Sequence, residues 1–249
     1  ETFLVVGLGL IGLITSQLLK ANGCNVLAID LDPKKKDIAN ELGIKFKVFN
    51  NEENIIKWCL KETSGAGIDG VIVAASTKSS DPIQLSAKVS RKKGRIILLG
   101  VTGMELRRDL FYEKELTFKV SCSYGPGRYD KSYEKEGLDY PLPYVRWTEQ
   151  RNFKSVLELI KNNKLNVKKL ISHRFNIENA NDAYDIISKN DPSLGIIIKY
   201  PYSKTKLSNS IKLPNNNFLT KNPKKATIGF IGAGNYAKRI LIPNFLRNK

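Results

Sequence analysis

The stretch VVGLGLIG, residues 5–12, places three glycines between an apolar run and a helix-like segment. The residues FLVV, which include the start of this stretch, read as a short buried strand. The following LIGLITSQLLKANG carries apolar residues at the spacing of one helix face, and a second β-rich run, NVLAID, comes next. The sequence therefore predicts a strand-to-helix turn of an α/β fold, formed around Gly7, Gly9 and Gly12.

The turn has the GxGxxG spacing of a dinucleotide-binding fingerprint. In that motif Gly7 permits the tight turn, Gly9 lets the backbone approach a pyrophosphate, and Gly12 lets the helix pack closely on the strand. The start of the helix, at Leu10 and Ile11, offers unpaired N–H groups and the positive end of the helix dipole to an anion. A tight turn that binds no ligand is the alternative.

The second β-rich run ends in Asp30, 18 residues after Gly12. This interval is close to the usual one of about 20 for the acidic residue that binds the ribose hydroxyls of the adenosine half. A carboxylate there would repel the 2′-phosphate of NADP, so we expect NAD as the cofactor, with NADP less favoured. Lys34, Lys35 and Lys36 follow closely and could blunt this discrimination by reaching a 2′-phosphate.

Strand and helix patterns continue to alternate as far as Ser123. The β-like runs are KFKVF, DGVIVAAS, RIILLGV and LTFKVSCS, and the helical patterns between them are PKKKDIANELG, NEENIIKWCLKETSG and DPIQLSAKVSRKKG. Such alternation implies right-handed crossovers, and the mostly apolar strands imply helices on both faces of the sheet. We predict a doubly wound, mostly parallel Rossmann sheet of six strands in residues 1–123.

The pattern after Ser123 divides the rest of the chain. Residues 124–200 begin as a long aromatic segment rich in Gly and Pro, and they continue as helix, strand, helix and strand. Residues 201–225 have the polar, Pro-containing composition of a linker. Residues 226–249 repeat the opening pattern of strand, turn and helix. We predict the truncated start of a second Rossmann unit there, with Gly232, Gly234 and Ala237 at the fingerprint positions; a terminal strand and helix without that role is the alternative.

The overall composition limits the class of protein. Hydrophobic residues make up 41% of the 249 residues, and no apolar run approaches the ~18 residues of a membrane span, so we expect no membrane partner. The lysines behind the net charge of +17 are scattered, so we expect no nucleic-acid partner either. The chain starts without Met, one residue before a strand, and we expect a fragment of a longer protein.

The cysteines and the histidine give no metal-ligand pattern. Cys24, Cys59 and Cys122 are far apart, and His173 is the only histidine. We therefore predict neither a disulfide framework nor a zinc site in these residues. The unpaired cysteines also predict a reducing, cytoplasmic compartment. His173 lies in an apolar-flanked strand and is interpreted as structural.

Residues 1–200 resemble the medium-chain dehydrogenase/reductase family, the relatives of zinc-type alcohol dehydrogenases. The resemblance is carried by VVGLGLIG, GCNVLAIDLDPKKKDIANELGI, SGAGIDGVIVAAS, KKGRIILLGV and LISHRFNIENANDAYDII. The tail from Ala226 is similar to the start of the glucose-fructose oxidoreductase and inositol dehydrogenase family. The combination resembles the bi-domain oxidoreductases associated with surface-polysaccharide gene sets.

The resemblance implies an NAD(P)-dependent oxidoreductase that acts on a small molecule, such as a sugar or a nucleotide-sugar. It implies that Lys35 lies close to the adenosine ribose, and that Ala75 and Val101 lie at strand ends that face the nicotinamide half. In that family the zinc ligands and the proton relay belong to a domain that would precede Glu1, so the catalytic residues are not assigned. We expect these residues to bind dinucleotide without turnover. A non-catalytic dinucleotide-binding module is the alternative function.

Five side chains outside the fingerprint are candidates for other contacts. Tyr124 and Arg128, in the loop after the sixth strand, are candidates for a substrate contact, because Arg binds phosphate or carboxylate groups bidentately. A rigid surface loop is the alternative. Tyr144, Arg146 and Trp147 suit an interface, and the sequence leaves open whether it is with substrate, a second domain or another subunit of a homo-oligomer.

Overall fold

A computed structural model of the chain describes residues 1–189, 191–201 and 228–247. Residues 1–201 form one compact unit, and the described residues 228–247 belong to a second. The predicted segments 1–123 and 124–200 both lie within the first unit. Nearly all of the predicted linker, from residue 202 to 225, lies outside the described residues.

The first unit is built on a six-stranded sheet in the order β3-β2-β1-β4-β5-β6, in which every pairing is parallel. This is the strand order of the doubly wound dinucleotide-binding folds, and it confirms the predicted Rossmann sheet. The order reverses between β1 and β4, which are hydrogen-bonded neighbours. The strands are β1 (Thr2–Val6), β2 (Asn25–Asp30), β3 (Lys45–Val48), β4 (Ile68–Val73), β5 (Ser90–Leu98) and β6 (Thr117–Val120).

Helices connect these strands and cover both faces of the sheet. Neighbouring residues of β1 point to opposite sides: Leu4 packs in one buried cluster with Ile55 and Ile83, and Val5 packs in another with Leu13. Burial on both faces explains why the strands are apolar throughout. The helices are α1 (Leu10–Ala21), α2 (Lys35–Glu41), α3 (Glu52–Glu62), α4 (Asp81–Val89) and α5 (Arg108–Glu113).

Two details of this region differ from the sequence prediction. The helical pattern DPIQLSAKVSRKKG was expected to continue to Gly94, but α4 ends at Val89 and the next residues are assigned to β5. Lys93 has φ +58, a backbone conformation that an α-helix excludes. The short helix α5 was not predicted, because it is only six residues long and buries no side chain completely.

The remainder of the first unit follows β6 and contacts α1 at Asn166. It contains α6 (Lys131–Glu134), α7 (Glu149–Lys161) and α8 (Ala180–Ser188), together with a two-stranded parallel sheet of β7 (Ile171–Asn176) and β8 (Gly195–Lys199). Among its contacts with the Rossmann part, the backbone N–H of Asn166 donates to the buried Gln17 side chain of α1 at 2.7 Å. Leu170 joins the buried cluster that contains Leu13.

The described part of the second unit is a turn followed by a helix. A π-helical turn at Ala237–Leu241 leads into α9 (Ile242–Arg247), which agrees with the helix predicted there. The predicted strand is wrong over the described residues 228–231, which have no strand conformation. A strand requires a hydrogen-bonded neighbour, and the described residues of this unit offer none; Phe230 instead packs on Phe245, with ring centroids 5.7 Å apart.

Candidate dinucleotide-binding site

A cleft of about 500 Å³ lies at the carboxyl ends of β1, β2, β3 and β4. It includes the switch point between β1 and β4, the position at which open α/β sheets bind their ligands. Four of the predicted cofactor residues line it. The lining consists of Val6, Gly7, Gly9, Ile29, Asp30, Leu31, Phe49, Ala74, Ala75, Ser76, Thr77, Ser79, Asp81, Pro82 and Leu85.

Two glycines of the turn are required by the fold itself. Gly7 has φ +95, and a Cβ there would lie 2.9 Å from the backbone nitrogen of Ala75. A Cβ on Gly12 would lie 1.9 Å from the carbonyl oxygen of Gly7, so the helix can pack this closely only without a side chain. Both positions would be glycine whether or not a ligand binds.

Gly9 is different, because the fold does not require a glycine there. Its backbone, at φ −69 and ψ −171, is open to any residue, and no described atom lies within 4 Å of a Cβ built on it. Gly9 is the N-cap of α1, and among the described residues no side chain caps this helix and no acidic residue occupies its first turn. The N–H groups of Leu10, Ile11 and Gly12 have no partner within the helix; these three residues follow Gly9 directly but are not part of the cleft lining. The arrangement fits a phosphate group.

The Asp30 carboxylate is fixed beside the glycine turn by two backbone donors. The Leu8 N–H donates to Oδ2 at 2.6 Å, and the Asp32 N–H donates to Oδ1 at 2.8 Å. Leu8 is fully buried, so its N–H depends on this bond. Each carboxylate oxygen has a second lone pair, which leaves Asp30 able to accept two further hydrogen bonds from a ligand.

The sequence did not indicate the apolar wall of the cleft. Phe49 follows β3 and Leu85 lies on α4, far apart in the chain, and they meet here only because parallel strands end at the same edge. Leu31 is 75% exposed although it follows a buried strand, which is unusual for a large apolar side chain. The one sequence signal for this wall was that Leu31 and Phe49 each directly follow a strand, whereas Leu85, in the middle of α4, had no such signal.

The charged groups of the cleft are acidic. Asp30 and Asp81 line it, and the lining contributed by the described residues includes no lysine or arginine. Lys35, implied to lie close to the ribose, is not part of the lining; its ammonium nitrogen lies 4.0 Å from Asp32. The described lining therefore provides carboxylate acceptors for hydroxyl groups, and none of its residues is a cation that could bind an added phosphate.

Ala75 and Val101 lie together at the carboxyl ends of β4 and β5. The Val101 N–H donates to the Ala75 carbonyl at 3.2 Å, and the Thr77 N–H donates to the Val101 carbonyl at 2.9 Å. The Val101 side chain is 74% exposed and lies outside the lining, whereas Ala75 is part of it. The two residues thus extend the cleft edge from β4 towards β5.

Tyr124 and Arg128 both bind the Glu134 carboxylate and do not line the cleft. The Arg128 guanidinium pairs with Glu134 at 2.5 Å, and the Tyr124 hydroxyl donates to the same carboxylate. These two hydrogen bonds lower the pKa of Glu134 to about 2. Tyr129, at φ +70, packs under Arg128, with 4.2 Å between the guanidinium carbon and the ring centroid. Neither Tyr124 nor Arg128 lines the cleft.

The remaining sequence candidates do not assemble into a site. His173 stacks on Phe175 and lies 2.9 Å from the Ser172 hydroxyl. Trp147 is half-exposed, and the guanidinium carbon of Arg146 lies 4.2 Å from its ring centroid. Tyr144 is almost fully exposed.

Within the described ranges no helix has the length and apolar composition needed to cross a membrane.

The glycine turn of the second unit shares two features with the first. Gly232 has φ +83, where Gly7 has +95. A Cβ on Gly234 would meet no described atom within 4 Å, as at Gly9. Ala237 takes the third position and is buried.

Comparison with known proteins identifies the family. The family model described as "Zinc-binding dehydrogenase" matches residues 11–137, about half of the chain. The chain belongs to the zinc-binding dehydrogenase family. The match covers α1 from its second residue and the strands from β2 to β6, and it begins after β1, Gly7 and Gly9.

Relatives and solved structures agree with this assignment. An alcohol dehydrogenase from Geobacillus stearothermophilus is 30% identical over 111 residues, which cover 45% of this chain and 32% of that protein. A sorbitol dehydrogenase from Halalkalibacterium halodurans is 26% identical over 193 residues, covering 77% and 50%. The fold of a 2R,3R-butanediol dehydrogenase from Bacillus subtilis matches with a TM-score of 0.62 at 20% identity, covering 80% and 50%. The chain thus spans a third to a half of the length of the curated relatives it matches.

The family description includes zinc, so we tested whether the residues present fit a zinc ion. In the described parts of the chain no three His, Cys, Asp or Glu side chains group as ligands. Cys59 is buried, and that burial raises the pKa of its thiol to about 12, whereas Cys122 is exposed. These residues do not form a zinc site, and the function proposed below uses none.

Proposed function

We propose that this chain is the cofactor-binding part of an NAD(P)-dependent oxidoreductase of the alcohol dehydrogenase type. The observation that carries the proposal is the open space at Gly9, where the uncapped start of α1 meets a cleft that also contains Asp30. The fold fixes Gly7 and Gly12 but leaves Gly9 without a structural reason to be glycine. Close approach of a pyrophosphate to the backbone supplies that reason.

Different groups of the chain bind different parts of the dinucleotide. The N–H groups of Leu10, Ile11 and Gly12 bind the pyrophosphate, and the Asp30 carboxylate accepts hydrogen bonds from the adenosine ribose. The apolar wall that includes Phe49 takes the adenine ring. The nicotinamide half extends from β1 across β4 towards Ala75 and Val101. When bound, the nicotinamide supplies hydride chemistry, and the protein's part is to hold it in position.

We further propose NAD rather than NADP as the cofactor. The Asp30 carboxylate, which we place at the adenosine ribose, would repel a 2′-phosphate, and the predicted cation Lys35 lies beside Asp32. The substrate we propose is a small molecule bearing a hydroxyl group, because the relatives are named as alcohol and sorbitol dehydrogenases. A sugar or a nucleotide-sugar is the narrower form of this proposal, and its only support is the resemblance to the bi-domain oxidoreductases. Assembly as a homo-oligomer and a cytoplasmic location remain proposals from the sequence.

The second glycine turn supports a second candidate role, the start of another dinucleotide-binding unit. Gly232 has a positive φ, as Gly7 has, and Gly234 has open space at its Cβ position, as Gly9 has. This repeat is the basis for proposing a fusion with a glucose-fructose oxidoreductase-like unit. The non-catalytic module remains the alternative for the first unit, and the site residues alone do not separate it from an enzyme.

Titration of the 249-residue chain with NADH, by calorimetry or by cofactor fluorescence, tests the main proposal. Gly9→Ala should weaken NADH binding at least about tenfold, because its methyl group fills the space of the pyrophosphate, while the free energy of unfolding falls by no more than about 1 kcal/mol, since alanine is a poorer N-cap than glycine. Gly229→Ala is the matched control, since a Cβ there also meets no described atom. Absence of NADH binding to the unsubstituted chain, or normal binding to Gly9→Ala, would overturn the proposal.

A further inference from the structure

We propose that the start of α7 is a second ligand site, distinct from the dinucleotide cleft, where Arg146 and the Thr148 hydroxyl bind a phosphate group. The inference goes beyond the proposed function, because neither residue lines the cleft. The sequence candidates at residues 144–147 form no site among themselves, but Arg146 lies close in the chain to a buried hydroxyl that the sequence did not indicate.

The hydroxyl of Thr148 has no role in the fold as described. Thr148 is 0% exposed, and its Oγ1 is the single fully buried side-chain nitrogen or oxygen among the described residues that has no hydrogen-bond partner. A buried polar group without a partner is costly, and folded proteins contain few of them. The position of this hydroxyl is accounted for if it hydrogen-bonds to a ligand.

Thr148 is also the N-cap of α7, and its backbone is extended, at φ −99 and ψ 168. In this position a threonine hydroxyl ordinarily accepts an N–H of the first helical turn. Here it accepts none, and the N–H groups of Glu149, Gln150 and Arg151 donate to no described acceptor. The hydroxyl and these N–H groups lie at the same end of the helix, and all of them can donate. An oxyanion, whose oxygens each accept more than one bond, satisfies them together.

Arg146 supplies the cation at this end of the helix. Its guanidinium carbon lies 4.2 Å from the centroid of the Trp147 ring, and it forms no ion pair or hydrogen bond with a described residue. Stacking on the ring fixes the guanidinium plane and leaves its edge donors available for bidentate binding. Arg151 differs, because its guanidinium pairs with Asp139 at 2.7 Å. Glu149 is the acidic residue of the first turn, so a net positive charge at this site depends on Arg146.

The number of donors favours a phosphate over a carboxylate. A phosphate offers at least three acceptor oxygens to the hydroxyl, the helix N–H groups and the guanidinium, whereas a carboxylate offers two. Because Thr148 is fully covered, an oxygen that reaches its hydroxyl must displace part of this cover. The indole of Trp147, 47% exposed and directly before Thr148 in the chain, should report the change.

Fluorescence titration of the 249-residue chain with inorganic phosphate and with glucose 1-phosphate tests the site. Trp58→Phe leaves Trp147 as the only tryptophan, so the signal comes from the start of α7. Saturating NAD occupies the glycine turn of the cleft, which would otherwise bind phosphate as well. Potassium chloride at equal ionic strength is the control for screening, and it should leave the fluorescence unchanged.

Three substitutions in this background identify the groups that bind. Thr148→Val keeps the shape of the side chain and should weaken phosphate binding about three- to tenfold, as expected for one hydrogen bond. Arg146→Gln should weaken it at least about tenfold, because it removes a charge-assisted pair. Arg108→Gln is the matched control, since Arg108 is also exposed and stacks on a ring, that of Tyr112 at 4.3 Å, and it should leave the affinity unchanged.

The stability of Thr148→Val separates ligand binding from helix capping. Because Oγ1 has no partner in the fold, urea denaturation without phosphate should show no loss in the free energy of unfolding. A clear loss would show that the hydroxyl caps α7, and it would overturn the inference. The same fluorescence change with potassium chloride, or unchanged phosphate affinity in Arg146→Gln, would also overturn it.

The two phosphate probes distinguish the source of the ligand. Tighter binding of glucose 1-phosphate indicates a phosphate ester, whereas equal binding indicates inorganic phosphate, and both results support the site. Failure of the chain to bind NAD would overturn the proposed function alone. The phosphate titration is then made without NAD, and the substitutions at Arg146 and Thr148 still test the inference.

Discussion

Replacement of Asp30 by asparagine preserves the shape of the side chain but changes one acceptor oxygen into a donor. In the native chain both oxygens face backbone N–H groups, those of Leu8 at 2.6 Å and of Asp32 at 2.8 Å. Whichever way the new amide is turned, its NH₂ group faces one of these donors. We therefore expect Asp30→Asn to weaken the fold as well as the binding of cofactor.

The size of both effects follows from the surroundings of Asp30. If the NH₂ group faces Leu8, a fully buried N–H loses its acceptor, which costs about 1–3 kcal/mol. If it faces Asp32, which is only partly buried, water can replace the acceptor and the loss is at the lower end of that range. Affinity for NADH should fall by about ten- to a hundredfold, because hydrogen bonds to a charged group contribute about 1.5–3 kcal/mol.

Urea denaturation followed by circular dichroism measures the first effect, and NADH titration measures the second. Asp69→Asn is the matched control. The Asp69 carboxylate also accepts a backbone N–H, from Thr2 at 2.7 Å, and pairs with Arg91, but it lies at the amino end of β4, away from the cleft. Asp69→Asn should therefore destabilise the fold without weakening NADH binding. If the free energy of unfolding of Asp30→Asn is unchanged, Asp30 does not stabilise the glycine turn. If its affinity for NADH is unchanged, Asp30 does not contact the ribose.

The sheet and the glycine turn were predictable because their signals are local. Alternating apolar strands and helical patterns predict a doubly wound sheet, and the spacing of Gly7, Gly9 and Gly12 predicts the turn that the structure contains. The sequence cannot separate Gly9 from the other two. Only the space around each Cβ shows that Gly7 and Gly12 serve the fold and that Gly9 leaves room for a ligand.

The parts that were not predictable depend on pairing between side chains. Arg128 has the chemistry of a phosphate-binding residue, but in the fold its partner is Glu134, six residues further on. Lys35 belongs to a basic run, but it lies beside Asp32. A sequence reports which charges are present, whereas their availability to a ligand depends on neighbours that the backbone brings together. For the same reason, the net charge of +17 is a poor guide to the cleft, whose charged lining residues are Asp30 and Asp81.

Two further predictions concern groups outside the cleft. The thiol of Cys122, which is exposed, should react with a maleimide in the native chain, whereas Cys59, buried and with a pKa of about 12, should react only after unfolding; native-state labelling of Cys59, read by mass spectrometry of its peptide, would contradict its placement. The loop that contains Tyr124 and Arg128 should depend on the ionised form of Glu134. Because hydrogen bonds from both residues lower the pKa of Glu134 to about 2, its contribution is fully present above the ordinary value of 4.5 and is lost as the pH falls towards 2. Glu134→Gln should therefore weaken the near-ultraviolet dichroism of the tyrosines already at pH 7 and flatten its change between pH 5 and 2, and a profile identical to that of the unsubstituted chain would show that the pairing does not order the loop.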